Sequence, residues 1–199
     1  MLTSGNDSSL VVDRLCDQPR GQNTAVTCFY FDFAARKEQT ATSMLGSLLK
    51  QIVSGMGGVR DDIWRALREE KEAIYGRKPQ LADIVKMLQL ITSSQRIFMI
   101  IDALDECTAV QRFRLFDSLK ELLENSLGGR IFVTGRPHIR AEMEMRLGGR
   151  VTTVSVGPTR DDIVRFLRVR LSEDETPDAM DSSLEADILE KIPGSISEM

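Results

Sequence analysis

The sequence predicts an α/β protein in which a parallel sheet is covered by helices on both faces, a three-layer α/β/α arrangement. Two observations carry this. The strand-like segments are continuous apolar or aromatic runs rather than alternating ones, as expected of strands buried on both faces. Between them, apolar residues recur at helical spacing, and strands that alternate with helices build parallel sheets.

The first strand-like segment is Thr24–Phe33, TAVTCFYFDF, which is aromatic and β-branched. Met44, Leu45, Leu48, Leu49, Ile52 and Val53 follow at helical spacing and stop at Gly55-Met56-Gly57-Gly58, a helix with a glycine stop. A second helix spans about Asp61 to Tyr75. Its acidic start suits the positive helix end, and Ile63, Trp64, Leu67 and Ile74 oppose a solvated charged face. A third runs from about Leu81 to Ile91 and breaks at Ser93-Ser94.

Arg96-IFMIID-Ala103 reads as a central strand, apolar throughout and ending at an acid. Thr108 and Gln111 form a capping-box pattern ahead of Phe113, Leu115, Phe116, Leu119, Leu122 and Leu123, predicting a helix that runs to Gly128-Gly129. Ile131–Thr134 is the next strand, ending in Gly135-Arg136-Pro137. A short helix around Ile139 to Leu147 leads through Gly148-Gly149 to a further β-branched strand, Val151–Val156. Thr159 and Asp162 cap a helix holding Ile163, Phe166, Leu167 and Leu171. After a loop from Ser172 to Asp181, Leu184, Ile188, Leu189 and Ile192 mark one more helix.

Length and composition narrow the function classes. A chain of 199 residues, 42% hydrophobic and 28% charged, suffices for one large domain with its own core. A net charge of -4 and a pI near 5.2 supply no global basic field, so nucleic acid is not an expected partner. Three widely spaced cysteines and one histidine, His138, give neither a disulfide framework nor a zinc site; buried thiols in a reducing compartment are the expectation. The polar start has no secretory pattern, and no apolar run approaches the roughly 20 residues that cross a bilayer. A cytoplasmic protein without a membrane partner is expected.

Ligands of parallel sheets sit beyond the carboxyl ends of the strands, which directs attention to Asp102–Glu106 and Thr134–Pro137. A carboxylate fixed at the end of a buried strand, Asp102, offers a hard cation an oxygen ligand. Asp105 and Glu106, a turn further on, can place a second carboxylate beside an attacking water. Taken alone, these acids equally fit a strand end and a helix start. About 30 residues later, one strand-helix-strand unit on, a second apolar strand ends in Thr134 and Arg136. A threonine hydroxyl and an arginine there can touch phosphate; packing and turning the chain before Pro137 remain open for each singly. Asp32 reads as a local hydrogen-bond acceptor, and His138 as a surface or helix-start residue.

FYFDF, IFMIIDALDEC, IFVTGRP and VSV-x-x-x-x-DDIVRFL, in that order, resemble the NACHT domains of fungal STAND proteins, which are NLR-like signalling switches related to the nephrocystin-like N-terminal NTPase domain. The resemblance covers about Ala25 to Met199. It implies a P-loop NTPase-like sheet, with Asp102 as the Walker B magnesium-site acid, Asp105 and Glu106 as the acids that support hydrolysis, and Thr134 and Arg136 at the sensor position. It further implies ATP or GTP with Mg2+, and protein partners engaged through flanking effector and repeat regions outside this sequence.

The family's Walker A loop, G-x-x-x-x-G-K-[ST], occurs nowhere in these residues, which removes the amide nest, the lysine and the magnesium hydroxyl. In the family that loop precedes a helix resembling Leu10–Leu15, and its strand lies between the strand ending at Thr134 and that at Val151–Val156. The expectation is therefore a partial NACHT NTPase domain over residues 1–171, beginning just after the P-loop and lacking its first strand, followed over 172–199 by the start of a helical segment. Such a domain is expected to be marginal and to bind nucleotide poorly. The alternative is a degenerate, non-hydrolysing interaction module on the same fold.

Overall fold

The computed structural model describes residues 5–17, 24–55, 61–173 and 181–196, and the chain divides into two compact units, Met1–Thr152 and Thr153–Met199. In the first unit, β1 (Thr24–Tyr30), β2 (Arg96–Asp102) and β3 (Gly129–Val133) form a parallel sheet in the order β1-β2-β3. Tyr30 lies opposite Asp102 and Val133 opposite Ile101, so all three strands end on one rim. The α/β class and the P-loop NTPase-like arrangement of sheet and helices read from the sequence are therefore present.

Helices α1 (Gly5–Asp17), α2 (Ala41–Gly55), α3 (Asp61–Ala73), α4 (Leu81–Ser94), α5 (Ala109–Glu124) and α6 (Arg140–Leu147) surround the sheet. Ile97, Met99 and Ile101 alternate onto one face, where Leu45, Leu48, Leu88, Ile91, Leu115, Phe116 and Leu119 bury them. Each such side chain contributes about 1.5–3 kcal/mol, so this layer dominates stability. α1 packs on β1 and β2, and Ser9 hydrogen-bonds to Tyr30 on the other face of the sheet. It contains the Leu10–Leu15 segment singled out in the sequence. Lys86 of α4 pairs with Glu70 of α3 at 2.6 Å. Among the described residues no helix is long and apolar enough to cross a membrane.

The second unit holds α7 (Arg160–Ser172) and α8 (Ser182–Ile196), which pack on each other. The capping box expected at α7 forms: the Asp162 amide donates to the Thr159 hydroxyl at 3.2 Å, and the Asp162 carboxylate accepts from the Thr159 amide at 3.0 Å. Most of the Ser172–Asp181 loop and the Met56-Gly57-Gly58 stop fall outside the described residues.

Several expectations need correction. Val151–Val156 forms no strand; Val154 and Val156 are exposed and make no ladder, because among the described residues no strand pairs with the outer edge of β3. β-branched composition alone does not make a strand when the backbone groups find no neighbour. The Thr108–Gln111 capping box is absent: Thr108 is the N-cap of α5, but its side chain makes no cap bond, and the Gln111 side chain instead accepts the Ala41 amide at 3.1 Å. α4 runs through Ser93-Ser94 because their hydroxyls bond back to the carbonyls of Leu90 and Ile91 at 2.7 and 2.8 Å, the helical alternative to breaking the turn. α5 ends at Glu124, ahead of the glycine pair, because Gly129 already belongs to β3.

The two edges of the sheet differ. At β1, the Gln51 side chain from α2 accepts the Cys28 amide at 3.1 Å and donates to the Cys28 carbonyl at 2.8 Å, as a neighbouring strand would, and it also accepts the Thr27 hydroxyl at 2.8 Å. This seals an edge that would otherwise template pairing. Gln51→Leu is expected to cost about 1 kcal/mol, held down because water can reach Cys28. Urea denaturation checks it, and an unchanged midpoint would show that the amide contributes nothing.

Candidate functional site

The rim where the strands end is built by short-range bonding between the last residues of β2 and those just past β3. Asp102 follows five apolar residues and is 5% exposed. The Thr134 hydroxyl donates to Asp102 Oδ1 at 2.5 Å and accepts the Ala103 amide at 3.0 Å. The Thr134 backbone continues the ladder, its amide donating to Ile101 at 3.0 Å and its carbonyl accepting from Leu104 at 2.9 Å. A buried carboxyl group without such a donor is costly, so Thr134 holds the Asp102 side chain in position. Among the described residues, the side-chain donor to this carboxylate is Thr134, at Oδ1.

Ala103 occupies the left-handed region, with φ 54 and ψ 45. A non-glycine residue there carries a cost of about 1–2 kcal/mol, and such strain gathers at functional turns. The turn is pinned by Leu104, fully buried, and continues through the helical turn Leu104–Glu106. It presents Asp105 and Glu106 side by side toward the segment that follows β3.

There the two acids meet Arg136. Asp105 Oδ1 accepts the Arg136 amide at 3.2 Å and Oδ2 lies 3.3 Å from Arg136 Nε, while Glu106 Oε1 lies 3.6 Å from an Arg136 terminal nitrogen. The Asp105 side chain is 7% exposed and that of Arg136 71%. A Cβ at 135 would lie 2.6 Å from Ile139 Cδ1, the tip of a side chain that can turn away, and 3.4 Å from Asp105 Oδ1, an ordinary contact, so the segments run close together here.

The structure therefore brings Asp102, Thr134, Asp105, Glu106 and Arg136 to one rim, in two linked pairings. Thr134 serves Asp102; Arg136 reaches the acidic pair and not Asp102. Asp32 lies past the end of β1 and accepts the Ala34 amide at 2.8 Å, the local role read from the sequence. His138 is exposed in the turn Pro137–Ile139. Cys107 is a buried free thiol, and burial pushes its pKa up, so it stays protonated and unreactive; Cys16 and Cys28 are half-buried.

Sequence reasoning missed one member of the rim's support. Arg112, buried in the first turn of α5, donates to the Cys107 carbonyl at 2.9 Å and makes a two-pronged pair with Glu142 of α6 at 3.0 and 2.8 Å. Neither residue stands out in sequence, since both read as solvated charges on amphipathic helices.

Among the described residues no group of three or more histidine, cysteine or acidic side chains could hold a metal by itself. Asp102 alone offers one hard oxygen, a donor set that suits only a cation bringing its other ligands with it, as magnesium bound to phosphates and water does. The open cavity lined by Thr24, Gln95, Arg96, Gly128 and Arg130 lies at the opposite rim, where the strands begin, and contains none of these residues.

The sequence model of the family described as nephrocystin 3, N-terminal, matches residues 8–136, from within α1 to Arg136, and so takes in all three strands and the whole rim. The VSV-x-x-x-x-DDIVRFL segment lies beyond that match. No curated protein matches the chain.

Proposed function

The chain belongs to the nephrocystin 3 N-terminal family, and from that premise we propose that it carries the magnesium side and the sensor side of a nucleotide-dependent switch of the NACHT and STAND type. The observation that supports this best is the Thr134–Asp102 bond, which joins an acid-ended and a threonine-ended strand on one rim of a parallel sheet. Asp102 would offer a carboxylate oxygen to Mg2+, and the cation would supply charge neutralisation between the phosphates of ATP or GTP. Glu106, at 23% side-chain exposure against 7% for Asp105, is the more accessible acid to orient water or accept its proton, with Asp105 holding the turn. Arg136 reaches into solvent, where an arginine fork meets phosphate oxygens.

With no G-x-x-x-x-G-K-[ST] among its 199 residues, the chain lacks the motif whose backbone amides cradle the phosphates, and on this reading its own affinity for nucleotide would be low and hydrolysis slow or absent. Effector and repeat regions of a longer protein would couple the switch to protein partners. A second reading, a non-hydrolysing interaction module, is favoured by one contact: Arg136 is paired with the acids that hydrolysis needs free.

Calorimetry with Mg-ATP and Mg-GTP separates the two. The switch reading expects weak binding that requires magnesium and falls at least about tenfold in Asp102→Ala, as for removal of a metal-site residue. Magnesium-dependent binding that survives Asp102→Ala would remove Asp102 from the site, and no binding at millimolar nucleotide would favour the module.

A further inference from the structure

We propose that Arg136 and the acidic pair mask each other, and that a polyphosphate exchanging onto Arg136 unmasks both at once. This rests on the nucleotide-site reading and deepens it. The contacts are specific: Asp105 spends Oδ1 on the Arg136 amide and Oδ2 on its Nε, and Glu106 approaches a terminal nitrogen of the same guanidinium. Two carboxylates thus neutralise one cation. An arriving phosphate meets an arginine whose charge is already compensated, while a water meets acids already occupied by it.

The exchange is feasible because its two halves differ in rigidity. Asp105 is nearly buried and tied to the backbone of Arg136, so the peptide at 136 stays where it is. The guanidinium is largely exposed and its ion pairs are long, at 3.3 and 3.6 Å, so it can swing without disturbing the core. The arginine end of both pairs is solvated and the Glu106 contact is long, so a polyanion that offers several oxygens to one guanidinium can compete for it. When the arginine leaves, Glu106 loses its only described partner and Asp105 keeps the Arg136 amide. The acid released for chemistry is therefore Glu106, and its release depends on phosphate being held. The chain would thus keep its acid occupied unless phosphate is present.

The test uses magnesium-free tripolyphosphate, which engages Arg136 without drawing on Asp102, titrated into the full chain by calorimetry. Glu106→Gln is expected to tighten binding about two- to fivefold, the loss of one exposed pair. Asp32→Asn, which removes an acid just past β1 on the same rim and outside the mask, is expected to change it less. Glu106→Gln combined with Arg136→Gln is expected to lose the gain. Equal gains in Glu106→Gln and Asp32→Asn would reduce the effect to net charge and overturn the mask. An unchanged affinity in Glu106→Gln, or no binding by any variant, would overturn it as well. Failure of the underlying site reading shows elsewhere, as magnesium-dependent nucleotide binding indifferent to Asp102→Ala.

Discussion

Gly128→Ala is expected to destabilise the protein by about 3 kcal/mol, at the upper end of what one added methyl costs in a packed interior. A Cβ at this position would lie 2.3 Å from the carbonyl oxygens of both Thr92 and Gln95. Those are backbone atoms at the end of α4, so no rotamer change relieves the clash. Either the last turn of α4 opens, releasing the Gln95 amide from Ile91 at 3.1 Å, or the start of β3 withdraws and loses the bond from the Ile97 amide to the Gly128 carbonyl at 2.9 Å. Both choices damage the junction between the helix and the central strand. Against a total stability of about 5–15 kcal/mol for a domain, the loss is large. Gly55→Ala is the control: nothing lies within 4 Å of its Cβ, and a change within about 0.5 kcal/mol is expected. Urea unfolding followed by the fluorescence of the single tryptophan, Trp64, and by circular dichroism gives both values. Equal midpoints for the two variants would show that β3 does not press on the end of α4.

That junction also shows where the sequence was readable and where it was not. The glycine pair at 128–129 read as a helix stop, yet α5 had already ended, and Gly128 is required instead by contact with a helix more than thirty residues earlier. Contacts at long sequence separation leave no local periodicity. The three strands were legible because burial on both faces writes a continuous apolar run, and the shared rim followed because alternation with helices forces parallel pairing. Val151–Val156 carries the same composition and fails, since a strand needs a neighbour that composition cannot supply. The site was legible as residues but not as pairings. Asp102 and Thr134 were expected on one rim and meet directly, whereas Arg136 turns to Asp105 and Glu106, a pairing across some thirty residues that leaves no local pattern in the sequence. Gln111 was read as half of a capping box and is spent on α2, another partner distant in sequence.

Arg112→Ala should cost about 2–3 kcal/mol. Complete burial would put the loss nearer 3–5 kcal/mol, but the Arg112 and Glu142 side chains keep 10% and 18% of their surface, so water recovers part of it. The substitution removes both prongs to Glu142 and the donor to the Cys107 carbonyl, leaving an acid and a carbonyl unpaired between α5, α6 and the acidic turn. Most of the penalty is therefore the stranded Glu142 rather than the strength of the pair itself. Removing the stranded charge as well, in Arg112→Met with Glu142→Leu, should recover much of the stability, since an apolar pair of similar volume often replaces a buried ion pair at little cost. A double-mutant cycle built on urea unfolding reads the coupling, expected within about 0.5–3 kcal/mol for groups in contact. The consequence for the rim differs from that for stability. Arg112 clamps the residue just after Glu106 and α6, which begins at Arg140 just after the turn Pro137–Ile139, so it ties the acidic turn to the segment that follows Arg136. The apolar double variant restores packing without the bond to the Cys107 carbonyl. It is therefore expected to regain stability while its tripolyphosphate affinity stays different from that of the unaltered chain. Full recovery of both would confine Arg112 to packing, and additive losses in the cycle would show that the two side chains do not act as a pair.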